Sequence, residues 1–380
     1  MMLLSIGAGL APIFVFRPRQ KFIPSLSQIE SPQPVSRLSN RASDREATTA
    51  NVAADGLDDF IAAREPGRVL VAGDVGGAVE QRFRDAGWQV TVWNRLAWDN
   101  KAAAAWPAEG QFDTAYLRQP RGWAGFEAML HALAARLPTG APLWIAGGND
   151  EGVTSAHKRL IGLFDETETV TIKRRVRLLR SLRTGLPADK GNLEDWRETV
   201  RINIPGVPDP VDLVSYPGLF AHGRLDAGTE CLLQVLPELA EGTAVLDFGC
   251  GGGVISRALI ERGAKVRLTM LDIDALALHA ARQNVPDAEL VLGDGLDALG
   301  SRERYGLIIS NPPLHRGKDE DFGMIEALIA GTKKYLKLRG SLVLVTQRTA
   351  GVGKAFQEAF GHSELLLETP QFQVWKGTPK

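Results

Sequence analysis

Cysteine is nearly absent from this 380-residue chain: Cys231 and Cys250 are the only two. They are too few for a zinc cluster and are not spaced as a Cys-x-x-Cys redox pair, so the composition reads as that of a reduced, intracellular protein that binds no metal. Long apolar runs are missing as well, and none reaches the ~18 residues that a membrane span needs. An excess of either charge is lacking, with 44 basic against 45 acidic residues and a net charge of -1. A polyanionic partner therefore has to be held by a local patch. The 40 glycines have no three-residue period, which excludes a collagen-like chain. What remains is 44% hydrophobic and 23% charged, with a mean hydropathy of -0.08. That much apolar surface offsets the entropy of ordering the chain, and the length suits two domains.

Residues 1–56 differ from the rest. Seven serines and five prolines fall within the first fifty positions, and Arg17, Arg19 and Lys21 follow an apolar stretch at 3–16. A secretory signal has its basic residues first, so the expectation is an unstructured N-terminal extension and a cytoplasmic protein. From residue 57 onward, short Val/Leu/Ile-rich runs alternate with amphipathic stretches, the pattern of a parallel α/β sheet. The pattern occurs twice. Val69-Leu-Val-Ala-Gly73 is echoed by Val245-Leu-Asp-Phe-Gly249, residues 112–120 by 305–313, and residues 142–148 by 341–347. Chain order is kept, and the offsets drift only from 176 to 199. We read a tandem duplication of one doubly wound fold: a first copy over 57–183, a connection over 184–215 and a second copy over 216–380. Pro187, Pro205, Pro208 and Pro210 oppose continuous helix or central strand in the connection.

In the second copy, Asp247-Phe-Gly-Cys-Gly-Gly-Gly253 lies between an expected buried strand at 244–248 and a helix starting near Val254. Gly249, Gly251 and Gly253 let the backbone turn tightly and approach a ligand. The dinucleotide fingerprint fails because its third glycine falls on Val254, and no Lys-Ser/Thr pair completes a P-loop. An acid inside the glycine turn remains, and this pattern resembles motif I of class I S-adenosylmethionine-dependent methyltransferases. Their cofactor carries an ammonium and a sulfonium and no pyrophosphate, so a carboxylate there is favourable. The resemblance implies that Asp247 faces the methionine end. It implies that Asp272, closing the next strand, accepts the ribose hydroxyls, and that Asp294, after another strand, accepts a proton from the adenine amine.

Ser310-Asn-Pro-Pro-Leu-His315 directly follows an apolar strand. Pro312 and Pro313 lack backbone donors and end the strand abruptly, which leaves the carbonyls of Asn311 and Pro312 without local partners. Such acceptors suit an exocyclic amine, a poor nucleophile whose lone pair must be aimed at the methyl donor. Asn-Pro-Pro followed by an aromatic resembles motif IV of methyltransferases acting on amino nitrogens. Together with the degenerate upstream duplicate, it resembles the bacterial ribosomal RNA guanine-N2 methyltransferases, in particular the small-subunit (16S) enzymes of RsmC type. Tyr216-Pro-Gly-Leu-Phe220 and Gly223-Arg-Leu-Asp-Ala-Gly-Thr229 are similar to that family's segment ahead of motif I, which packs over the cofactor, and this brings Asp226 and Thr229 into the expected site. The implied fold is two tandem Rossmann-like methyltransferase domains, the first degenerate. The implied cofactor is S-adenosylmethionine, and the implied substrate is ribosomal RNA or a ribosomal subunit, methylated by a monomer without metal or membrane.

One position departs from the family pattern. Leu314 stands where an aromatic usually stacks on the flipped base, so the apolar face of Leu314 and the rings of His315 or Phe322 are the candidates for base contact. In the first copy the chemistry is gone: Val71 replaces Asp247, Val75 replaces Gly251 and Arg118-Gln-Pro120 replaces Asn-Pro-Pro. Six basic residues without an acid between 173 and 183 point to phosphate contact, led by Arg174 and Arg175. The alternatives are a large-subunit (23S) guanine-N2 enzyme, an adenine-N6 or glutamine-amide methyltransferase, and a non-enzymatic RNA-binding assembly protein.

Overall fold

The computed structural model describes residues 40–379 except 161, 301–303, 313–314, 317–318 and 321, and gives no side-chain placement for 40–43, 315–316, 319–320 and 322. The first unit runs α1 (Asn40–Gly56), α2 (Asp58–Ala62), β1 (Arg68–Ala72), α3 (Ala78–Asp85), β2 (Gln89–Trp93), β3 (Thr114–Arg118), α4 (Trp123–Ala134), β4 (Pro142–Gly148), β5 (Phe164–Lys173) and β6 (Val176–Arg183). A hairpin of β7 (Glu198–Ile202) and β8 (Val211–Ser215) follows. The second unit runs α5 (Ala227–Gln234), β9 (Ala244–Phe248), α6 (Val254–Glu261), β10 (Arg267–Asp272), α7 (Ala275–Asn284), β11 (Glu289–Leu292), β12 (Tyr305–Ser310), β13 (His315–Arg316), β14 (Asp319–Glu320), α8 (Phe322–Thr332), β15 (Leu336–Gln347), α9 (Gly353–Phe360), β16 (Ser363–Glu368) and β17 (Phe372–Gly377).

The two sheets carry the same plan. The first has the order β2-β1-β3-β4-β6-β5, and the second β11-β10-β9-β12-β15-β17-β16, which adds one edge strand. All neighbours are parallel up to β4 and β15, and β6 and β17 then join antiparallel. Strand pairing places the duplicated positions in equivalent sites: Val71 lies opposite Val92 and Tyr116, just as Asp247 lies opposite Met270 and Ile309. Central strands such as β1, β9 and β12 are apolar almost throughout because helices cover both faces of each sheet. In each sheet the chain order reverses beside the first strand, and the crevice at the strand ends there is where open α/β sheets bind ligands.

Two boundaries differ from the sequence expectation. Residues 40–56 are helix α1, with Ala50, Val52, Ala53 and Ala54 buried against the first sheet, so the first unit begins before residue 57. Its apolar stripe consists mainly of alanines and threonines, which are too small to stand out as a periodic hydrophobic pattern. The connection 184–215 is also built into the fold. Trp196 is buried, and Ile202, Ile204, Val211 and Leu213 pack into the core of the second unit. Pro205, Pro208 and Pro210 occupy the turn between β7 and β8, where they break no strand pairing.

The units touch through the loop after β2. Ala97 donates to the carbonyl of Ile273 (2.8 Å), and Ala275 donates to that of Arg95 (2.9 Å). Gly125 of α4 and Gly218 lie so close that a Cβ on either would come within 3.2 Å of the other's Cα.

Candidate active site

The site is built at the C-terminal ends of β9, β10 and β12. After β9 the chain turns through Gly249, Gly251 and Gly253 with φ of 67°, 55° and 86°, the left-handed region that other residues enter only at a cost. At Gly249 and Gly251 a Cβ would project into open space, whereas at Gly253 it would strike Met270 at 2.7 Å. The first two glycines thus keep a ligand-facing turn bare, and the third lets α6 pack on the sheet.

Asp247 is fully buried. Its Oδ2 accepts from the Ser256 hydroxyl (2.7 Å) and the Ser256 amide (3.2 Å), while Oδ1 has no hydrogen-bond partner among the described residues. Burial, helped by the nearby Asp272, pushes its pKa up to about 7. Asp272 accepts the Gly251 amide on one oxygen (2.8 Å) and the Asp274 amide on the other (2.9 Å), so the carboxylate both holds the glycine turn and ends β10. Burial first and the Asp274 charge second raise its pKa to about 6. Each of its oxygens has a further lone pair, room for the two hydroxyls of a ribose. Asp274 caps α7 by accepting the Leu276 amide and pairs with Arg95 of the first unit at 3.0 Å.

Asn311 follows β12. Its Nδ2 donates to Asp226 Oδ2 and to Thr229 Oγ1, both at 2.8 Å. Asp226 is also the N-cap of α5 and accepts the Thr229 amide at 3.0 Å. Because the carboxylate can only accept here, the amide nitrogen must face it, and Asn311 Oδ1 is turned away as an acceptor. A cleft of about 710 Å3, open to solvent, runs from the glycine turn to Asn311; Asp226, Thr229, Val254 and Phe220 are among its walls. Asn284 of α7 ties these walls together. Its Oδ1 accepts from Val214 N (2.7 Å), and its Nδ2 donates to the carbonyls of Val214 (2.9 Å) and Gly252 (2.8 Å).

A buried carboxylate oxygen without a partner, a bare glycine turn and a strand-end acid suit a ligand with cationic and ribosyl parts, and they therefore fit S-adenosylmethionine. Among the described residues no three His, Cys, Asp or Glu side chains gather as a metal site, and no helix is long and apolar enough to cross a membrane.

Comparison with known proteins gives the family. Residues 210–376 match the family model of the methyltransferase small domain, and residues 65–199 match that of the methyltransferase small domain N-terminal region. The ribosomal RNA small subunit methyltransferase C of Stutzerimonas stutzeri is 32% identical over 274 residues, covering 71% of this chain and 80% of its own. The chain belongs to the ribosomal RNA small subunit methyltransferase C family. The member from Hahella chejuensis is likewise 32% identical, over 81% of this chain and 93% of its own. The fold is that of the T. thermophilus 16S rRNA N2 G1207 methyltransferase, solved in complex with AdoMet and guanosine: TM-score 0.75, 21% identity, covering 88% of this chain and 92% of that one.

The structure brings Asp247, Gly249, Gly251, Gly253, Asp272, Asp226, Thr229, Asn311 and the buried Pro312 together at one crevice. Asp226 and Thr229, expected over the cofactor, are hydrogen-bonded to Asn311. Asp294 lies beyond β11, held by the first unit: its Oδ2 accepts from Asp99 N (3.3 Å), and its amide donates to Asn100 Oδ1 (2.8 Å). Pro313 and Leu314 fall outside the described residues, as do the side chains of His315 and Phe322, which lie in β13 and at the start of α8. The basic run at 173–183 is divided by the β5–β6 hairpin. Arg174 and Arg175 form its exposed turn with φ of 52° and 65°. By contrast Arg180 pairs with Glu168, and Arg183 is buried with its guanidinium on the carbonyls of Ala134, Leu163, Thr184 and Leu186. Those two are structural, a distinction that a count of charges does not make.

In the first unit the corresponding corner is built differently. Asn94 follows the strand end that corresponds to Asp272, and Arg118 sits at the position of Asn311, buried between Glu46 of α1 and Glu151. Arg45 of the same helix pairs with Asp150. Gly76, in the turn after β1, has Ala47 and Ala50 against it. Helix α1 therefore closes the corner that is open in the second unit. Asn284, Arg95 and Asn100, which hold these segments in place, were not singled out in the sequence.

Proposed function

We propose that the chain transfers a methyl group from S-adenosylmethionine to the exocyclic N2 of a guanine in 16S ribosomal RNA. The observation that carries this is Asn311, whose amide nitrogen is bound by Asp226 and Thr229 so that its oxygen, beside a bare glycine turn, is left to accept from an amine. S-adenosylmethionine, when bound, supplies an electrophilic methyl on a sulfonium. Asp272 would hold its ribose, Asp247 would favour its cationic end and Asp294 would take its adenine amine.

The residues of the chain do the aligning. Asn311 Oδ1 and the backbone carbonyl of Pro312 accept the two N2 protons, which turns the nitrogen lone pair out of the guanine π system and toward the methyl. The proton lost after transfer passes to solvent, since the methylated ammonium is strongly acidic, and no strong base is required. The base must leave its stack to reach this corner. Phe220, 67% exposed on the wall of the same cleft, offers a ring for it to stack on.

The first unit, with its own corner closed, acts as scaffold and RNA contact. Arg174 and Arg175 at the exposed hairpin turn are its phosphate ligands. Replacing both by alanine should weaken RNA binding and flatten its salt dependence, with cofactor affinity unchanged. We place the protein in the cytoplasm, where its RNA substrate is. The test is nucleoside mass spectrometry of ribosomal RNA from cells with and without the gene: loss of an N2-methylguanosine from 16S RNA is expected. Loss from 23S RNA alone, or of a methyladenosine, would refute the assignment.

A further inference from the structure

We infer that the first unit, closed to cofactor itself, supplies part of the second unit's cofactor site: the turn Asp99–Asn100 positions Asp294 for the adenine ring. This rests on the reading of Asp294 as the adenine-side acid. The loop after β2 occupies the place in the first copy that the Asp272 segment after β10 occupies in the second. Here it carries no ribose acid and reaches instead to the neighbouring unit. Asp99 and Asn100 are both left-handed, with φ of 52° and 55°, a conformation costly for any residue with a side chain and least so for Asp and Asn.

The turn directs two groups at one residue. The Asp99 amide donates to the Asp294 carboxylate, and Asn100 Oδ1 accepts the Asp294 amide. Gly293 makes room, because a Cβ there would lie 2.7 Å from Asn100 Oδ1. Arg95 of the same loop pairs with Asp274 beside the ribose acid and donates to the carbonyl of Gly218 (3.1 Å), so the loop also ties down the segment that carries Phe220. A backbone and a side-chain group of Asp294 thus each have a partner outside its own unit. Asn100 is a positioning residue acting through Asp294, and the predicted consequence is in adenine recognition.

The test uses the full-length chain with Asn100→Gly, which keeps the left-handed turn and removes the acceptor. Binding of S-adenosylhomocysteine and of its inosine analogue, which lacks the 6-amino group, is measured by calorimetry, with Asp294→Asn alongside. Asn100→Gly is expected to weaken the adenosyl ligand about three- to tenfold and to shrink its preference over the inosyl ligand. Amide exchange at Asp294 should speed up in the same variant, a readout that needs no ligand. If Asp294→Asn abolishes the preference while Asn100→Gly leaves both preference and amide exchange as in the parent, this inference is overturned and the reading of Asp294 stands. Should Asp294→Asn leave the preference intact, that reading fails and the inference fails with it.

Discussion

Asp226→Ala separates two roles for one carboxylate. In the structure Asp226 caps α5 and receives the Asn311 amide. Loss of an N-cap costs about 1 kcal/mol, which for a unit the size of the second one lowers its melting temperature by about 2–4 °C. Loss of a charge-assisted acceptor is worth about 1.5–3 kcal/mol. If that energy holds Asn311 in its productive orientation only, kcat falls about 10- to 150-fold. Thr229 Oγ1 still binds Asn311 Nδ2 in the variant, so the loss should sit near the lower end. Thr229→Val, which removes a neutral acceptor, should cost about fivefold. The assay is single-turnover transfer of labelled methyl to unmethylated 16S RNA, paired with calorimetry of S-adenosylhomocysteine binding. A dissociation constant that rises in step with the lost rate would show that Asp226 is a cofactor ligand and would refute the positioning argument; an unchanged kcat would refute it too.

Asp272 and Asp247 carry pKa values raised to about 6 and about 7, so each binds its proton more tightly folded than unfolded. Their contribution to stability is fully present below about pH 4 and is lost as pH rises through 6 and 7. Asp272→Asn gives up one of the two backbone amides that Asp272 accepts, and its melting temperature relative to the parent should therefore be higher at pH 8 than at pH 4. Because the ribose hydroxyls favour the ionised form, affinity for S-adenosylhomocysteine should fall up to about tenfold per pH unit below 6, and Asp272→Asn should flatten that slope in a pH series of calorimetric titrations. Asn284→Leu removes three hydrogen bonds and leaves the Val214 and Gly252 groups unpaired. It should cost about 3 kcal/mol in denaturant unfolding and weaken cofactor binding as well. Arg118→Met strands the carboxylates of Glu46 and Glu151 in the first unit and should cost about 3–5 kcal/mol of stability, while kcat of the folded enzyme stays within about twofold.

The second unit was legible because its chemistry sits at strand ends, where an apolar run stops at an acid or a proline. Asp247, Asp272 and Asn311 are marked in this way, and the strands at 244–248 and 289–292 fall where the alternation places them. The duplication was legible because both sheets repeat the order of their apolar runs. Helix α1 was not, since alanine and threonine bury well on a close-packed face without a strong hydrophobic period. Nor could spacing reveal that Asp226 serves Asn311, 85 positions away, or that Asn100 meets Asp294 across two units. Those pairings depend on where the loops cross at the crevice. The basic run could not be sorted by charge alone for the same kind of reason: only pairing in a hairpin separates the exposed Arg174 from the buried Arg183.

The central claim is that the second unit binds the methyl donor and that Asn311 aims the acceptor amine at it. The most direct measurement pairs two numbers on the full-length chain and on Asn311→Ala: methyl transfer to guanine N2 of unmethylated 16S RNA, and the calorimetric dissociation constant for S-adenosylmethionine. The account predicts transfer reduced by at least about a hundredfold with the dissociation constant within about threefold of the parent. Transfer that survives in Asn311→Ala, or that disappears only because the cofactor no longer binds, would contradict it.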